Sequence, residues 1–203
     1  MIQVKRLGPV AFLVAIGLVT LITFALRPAK NPKVDPVDCE ALVGMVMIDS
    51  EIGRDYIRVA IAKGTSVNCL RASDGLSALH VAAMLGQTGM ISYLLGLGAN
   101  PSIAERSGLT PLDLACRESK LDAVWILIQS GAQVNSATSH GFTPLHFAAA
   151  GGNTDVIQAL LDAGADPNAK DMFGRTPGAE AERYGHRICA ELIDRSASTS
   201  RPK

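Results

Sequence analysis

The sequence predicts an all-α solenoid of helix–turn–helix units behind one N-terminal transmembrane helix. Three observations carry that expectation. Gly75, Gly108, Gly141 and Gly174 fall at intervals of 33 residues without a gap, and Gly98-Ala99, Gly131-Ala132 and Gly164-Ala165 keep the same step. Aromatic residues make up only 4% of the chain while Ala, Leu and Gly abound, which suits short helices packed closely rather than a sandwich of bulky strands. Leu7 to Leu26 runs twenty residues without a charge, long enough to cross a bilayer's hydrocarbon core as a helix.

Taken in order, residues 1–6 form a short tail ending in Lys5 and Arg6, and residues 7–26 are the expected membrane segment. Two readings compete for that segment: a signal anchor that stays, or a signal peptide cut near Ala25, which would leave a secreted or periplasmic chain. The anchor is preferred because the apolar region of a signal peptide is normally about 7–15 residues. Lys5 and Arg6 nearly balance Arg27, Lys30 and Lys33 across the segment, but a six-residue tail usually stays in the cytoplasm. The remainder is therefore expected on the exported, periplasmic side of a bacterial inner membrane. Residues 27–37, "RPAKNPKVDPV", carry three prolines and mixed charge and read as an extended stalk. A formal net charge of zero argues against a general polyanion binder, so no nucleic acid is expected as partner.

Behind the spaced glycines stand "GLSALHVAAMLG", "GLTPLDLACRES", "GFTPLHFAAAGG" and "GRTPGAEAERYG". Thr143 is a good N-cap and Pro144 a good first helical residue, so a short helix starts there; Thr110-Pro111 and Thr176-Pro177 repeat the device and Ser77-Ala78 keeps the cap. A second helix follows, with Val156, Ile157, Leu160 and Leu161 on one face, and Gly164 stops it. Neither helix reaches the roughly 12–15 residues at which an isolated helix becomes marginal in water. Stacking must hold them: Ala82, Ala83, Ala115, Cys116, Ala148 and Ala149 allow close approach, and Leu94-Leu95, Ile126-Leu127 and Leu160-Leu161 fill the layer between units.

On these residues, and on "TPLHFAAAGGNTDVIQALLDAGADPNAKD" above all, the chain resembles the ankyrin-repeat family, whose 33-residue helix–turn–helix units are joined by β-turn fingers and carry a T-P-L-H core. The resemblance implies full repeats at 72–104, 105–137 and 138–170, with a degenerate capping repeat at 38–71. It further implies a solvated C-terminal capping repeat at 171–195, where Gly178 stands in place of a core leucine, and a disordered tail at 196–203. The motif histidine is expected to tether units, a role His80 and His146 would fill; a metal or catalytic role lacks convergent ligands or a partnered nucleophile. Asp113 replaces that histidine, and Glu118-Ser119 replaces the glycine-containing turn, so the 105–137 unit is expected to be looser or to carry a used surface.

The family's contact positions fall on the concave face. They give Asp74, Leu76, Met84 and Leu85 in the first full unit, then Arg106, Ser107, Leu109, Arg117 and Glu118 in the second. Ser139, His140 and Phe142 follow in the third, and Met172, Phe173, Arg175, Arg183 and Tyr184 in the last. Leu76, Leu109 and Phe142 recur at positions expected to face water, an apolar stripe among arginines that reads as a protein-binding surface, with packing inside the fingers as the alternative. Of four cysteines, Cys116 and Cys189 read as buried hydrophobes, while Cys39 and Cys69 flank the N-terminal cap as a candidate disulfide or two free thiols.

The leading expectation is a non-enzymatic, membrane-tethered module that binds another protein, with no cofactor, metal or small-molecule substrate. It resembles exported bacterial immunity proteins and factors that support periplasmic enzymes. The rivals are a permanent scaffold subunit of an envelope complex and a hydrolase with its site in 38–70. The hydrolase fares worst, since no G-x-S-x-G, H-E-x-x-H, C-x-x-C or phosphate loop occurs.

Overall fold

The computed structural model describes residues 39–48 and 50–199, all within the unit Pro36–Lys203. The tail 1–6, the apolar run 7–26 and the stalk 27–37 lie outside the described residues; among those described, no helix is long and apolar enough to cross a membrane. The described helices pair along the chain: α1 (Cys39–Val46) with α2 (Glu51–Ala62), α3 (Ala78–Leu85) with α4 (Thr88–Gly96), α5 (Pro111–Arg117) with α6 (Leu121–Gln129), α7 (Pro144–Gly151) with α8 (Thr154–Asp162), and α9 (Pro177–Arg183) with α10 (Arg187–Thr199). Helices α1, α3, α5, α7 and α9 stack in one row, and α4, α6, α8 and α10 form the second.

The start of each first helix follows from its cap. Ser77 accepts from His80 N, Thr110 from Asp113 N and Thr176 from Ala179 N, which satisfies a backbone donor that the helix itself leaves unpaired. Proline fills the first position of α5, α7 and α9, where its missing N–H costs nothing. The second helices end at Gly98, Gly131 and Gly164, whose φ of 86° to 88° lies in the left-handed region. Ser119, with φ 55°, is the one non-glycine residue in that region among those described. It takes the turn that Gly86 and Gly152 make in neighbouring units. In the cap, α2 lies so close to the end of α1 and the turn after it that a Cβ on Gly53 would sit 2.8 Å from Met45 O and 2.5 Å from Ile48 O.

Packing supplies what the short helices lack. Leu79, Leu112 and Leu145 of the first row are at most 1% exposed, as are Ile91, Leu94, Val124, Leu127, Ile157 and Leu160 of the second. Each fully buried aliphatic side chain contributes about 1.5–3 kcal/mol. Leu95, Ile126 and Leu161 pack against this core from half-buried positions. Cys116 and Cys189 are buried free thiols, and Cys39 and Cys69 are joined as a disulfide with Cα atoms 5.9 Å apart.

Polar ties then connect each unit to the next. His80 Nε2 donates to Leu109 O at 2.9 Å and His146 Nε2 to Arg175 O at 3.1 Å, while each Nδ1 accepts a backbone N–H from Ser77 or Thr143. That pairing fixes the neutral Nε2–H tautomer, and burial lowers both imidazoles below the ordinary histidine range. Asn68 donates to Gly98 O and accepts from Asn100 N, and Asn135 repeats the bridge to Gly164 O and Asp166 N.

The C-terminal unit exposes Glu182, Arg187, Ile188, Glu191 and Arg195, but two positions of α9 turn inward. Gly178 is buried because the Asp194 carboxylate occupies the space a side chain would need, a Cβ there lying 2.5 Å from Asp194 Oδ1. Glu180 on the same helix is also buried, paired with Arg175 and Arg183. Nor do all of residues 196–203 form a disordered tail: α10 continues to Thr199. Wholly buried Ile193 anchors it, and the hydroxyls of Ser196 and Ser198 bond carbonyls four residues back within the helix.

Candidate interaction face

The fingers between units are turns closed by the backbone, Arg71 N to Leu76 O, Glu105 N to Leu109 O, Thr138 N to Phe142 O and Asp171 N to Arg175 O. An oxygen side chain braces each from inside. Asp74 accepts from Leu76 N, Glu105 from Ser107 N and Leu109 N, Thr138 from Phe142 N, and Asp171 from Phe173 N and Arg175 N. Successive fingers are also tied, Ser139 N donating to Ser107 O and Met172 N to His140 O, both at 2.8 Å. The finger tips and first helices thus share one side of the stack, with backbone donors and acceptors already used and side chains left to meet a partner.

Of the residues expected on that side, Asp74, Leu85, Arg106, Arg117, Glu118, Ser139, His140, Met172, Phe173, Arg183 and Tyr184 are exposed. Met84, Ser107 and Arg175 are half-buried. The stripe expected to face water, Leu76, Leu109 and Phe142, is half-buried too, and this corrects the sequence expectation. The cause is local. Leu76 packs against the core, and Phe142 sits edge-on to His146 with ring centroids 5.7 Å apart, tilted on Phe147 at 5.8 Å and beneath Arg175 at 5.9 Å.

The C-terminal half of the face holds a groove of about 340 Å³. Phe142, Phe147 and Ala150 are among its apolar lining, and Arg117, Arg183 and Tyr184 stand at its edges. Gly151 lets α7 approach α5, since a Cβ there would lie 3.0 Å from Arg117 O. Arg183 is gripped from below: Nε and Nη2 donate to the two oxygens of Glu180, and Nη2 also reaches Tyr184 Oη at 2.9 Å. The Glu180 bond raises the Arg183 pKa further. Arg175 bonds Asp171 through Nε and Nη2 and approaches Glu180 at 3.4 Å, and its guanidinium lies 4.8 Å from the Phe173 ring centroid. Burial pushes the Asp171 carboxyl up, but the bonds from Arg175 and the finger backbone outweigh it and hold the group below the usual range.

Asp113 lies buried beneath this face. Its Oδ2 accepts from Thr110 N and Oγ1, both at 2.7 Å, while Oδ1 is buried without a hydrogen bond. A carboxylate is too short to reach across as the imidazoles of His80 and His146 do, so the joint between the 105–137 and 138–170 units lacks that tether. Burial raises the Asp113 pKa to about 7 against the two Thr110 bonds.

Sequence reasoning missed Phe147, Glu180, Asp171 and His186. The last donates from Nε2 to Ala150 O over 3.1 Å and nests against Gly152, where no side chain would fit. The run of short apolar residues after each T-P hid Phe147 among core positions, and Glu180 and Asp171 looked like solvated charges until their arginines were placed.

The chain matches the family description "Ankyrin repeats (3 copies)" over residues 46–138 and "Ankyrin repeat" over residues 140–172. Together these matches span more than half of the 203 residues. The chain belongs to the ankyrin-repeat family, and its repeats constitute a protein–protein interaction module.

Proposed function

We propose that the protein is a non-catalytic binding module, held at a membrane by residues 7–26, that grips a partner protein in the exported compartment through its concave face. There it acts as an inhibitor or accessory factor for that partner. The observation that carries the reading is the side chains left outward on one side of a stack whose fingers satisfy their own backbone: Leu85, Arg106, Arg117, Phe173, Arg183 and Tyr184 project from it. Interfaces favour aromatics and arginine in this way. The Cys39–Cys69 bridge supports an oxidising compartment, because such bonds are rare in proteins of the reducing cytosol.

Affinity capture with the full chain tests this. A Leu85→Glu, Phe173→Glu double variant alters two exposed positions and should fold as the wild type does, yet lose the captured partner. Trp125→Glu, on the outer helix α6, should keep it. Equal recovery by all three proteins would place binding elsewhere.

A further inference from the structure

We infer that the groove between α5, α7 and α9 receives an acidic peptide segment of the partner, one large apolar side chain entering the groove and a neighbouring carboxylate meeting Arg117 and Arg183. This rests on the concave-face reading and specifies its partner. The charge layout carries it. Arg183 is 51% exposed while the Glu180 that grips it is 4% exposed, and Arg175 is 27% exposed over an Asp171 that is fully covered. Cations face outward and their anions lie beneath, so an approaching segment meets N–H donors.

Both edge arginines keep donors for that encounter. Arg183 uses Nε and Nη2 on Glu180, leaving Nη1 without a partner among the described residues. Because the buried carboxylate already fixes the guanidinium, little side-chain freedom remains to be lost on binding. Arg117 uses only Nε, on Glu118 at 3.1 Å, with both side chains exposed, 44% and 42%. Exposed pairs of that kind exchange partners at little cost. Glu118, the carboxylate Arg117 holds, follows it directly in the chain and is itself exposed. Between the arginines the lining is Phe142, Phe147, Ala150 and the Tyr184 ring, which offers an apolar side chain partners on several sides. A bare anion would leave that surface wet, and a purely apolar segment would leave the guanidiniums unanswered; an acidic residue next to an aromatic or aliphatic one satisfies both.

The test is selection of phage-displayed random twelve-residue peptides on the full chain. The recovered peptides are then measured against Arg117→Glu with Arg183→Gln, and against Leu85→Glu with Phe173→Glu. Glutamine at 183 leaves Glu180 paired with Arg175, and circular dichroism verifies that both variants remain folded. Recovered peptides should place Asp or Glu within two positions of a large apolar residue. They should weaken by about tenfold or more on the arginine variant, the scale of one lost charge-assisted hydrogen bond, and hold on the other. Peptides without that pattern that bind equally to the arginine variant but fail on Leu85→Glu, Phe173→Glu would overturn the groove assignment while leaving concave-face binding intact. Peptides indifferent to both variants would overturn both.

Discussion

Replacing Asp113 by asparagine should change how the protein's stability responds to pH. The carboxyl is 1% exposed, one oxygen is held by Thr110 and the other has no partner, and burial lifts its pKa from 3.8 to about 7. A carboxyl raised on folding contributes stability that is fully present below its unfolded value and is lost as pH climbs through the folded value. Between pH 5 and pH 8 that loss comes to roughly 3 kcal/mol, at 1.36 kcal/mol per unit over the part of the shift those limits span. Asparagine keeps an oxygen for Thr110 and carries no charge at either pH, so the wild type minus variant difference should move by that amount toward the variant. Taking the difference removes the opposing effect of His80 and His146, whose lowered pKa values cost stability as pH falls through the histidine range. Of the titrating groups packed nearby, the buried thiol of Cys116 on the same helix also feels the Asp113 charge, and burial followed by that charge keeps it protonated throughout. Urea unfolding followed by the single tryptophan, Trp125 in the same repeat, measures it. Parallel wild-type and variant curves across this pH range would refute the argument.

Three further outcomes are expected. Ser119→Gly should raise stability by about 0.5–1 kcal/mol in a thermal melt, because glycine adopts the positive φ there without strain. His146→Ala should lower it by about 1–3 kcal/mol, since Thr143 N and Arg175 O lose a buried partner; hydrogen exchange at Thr143 N should accelerate together with the global change. Cys39→Ser with Cys69→Ser should cost about 2–4 kcal/mol, the effect of releasing a closure 30 residues apart, and adding reductant to that variant should change nothing further.

Most of the architecture was legible because it rests on local rules repeated at one interval. Thr-Pro starts a helix wherever it occurs, and Gly98, Gly131 and Gly164 each mark a left-handed turn, so alignment by eye places helices and turns together. The histidine tethers followed from the same register, with His80 and His146 reaching carbonyls 29 residues on. The face was legible only in outline. Whether Leu76 and Phe142 stand in water depends on how far each finger leans onto its helix, and that lean is set by contacts such as Phe142 on Phe147, which no spacing encodes. The inward turn of Glu180 depends on Arg175 and Arg183 arriving from either side of it. A helical wheel of α9 cannot report a partner in the preceding finger.

The bridge between Cys39 and Cys69 also decides how the domain bears mechanical load. Tension arriving from the residues before Cys39 passes through the sulfurs to Cys69, so the 29 intervening residues, α1 and α2 among them, carry none of it. The first repeat takes the strain directly, and the cap stays seated as a slack loop while the stack beyond it is pulled.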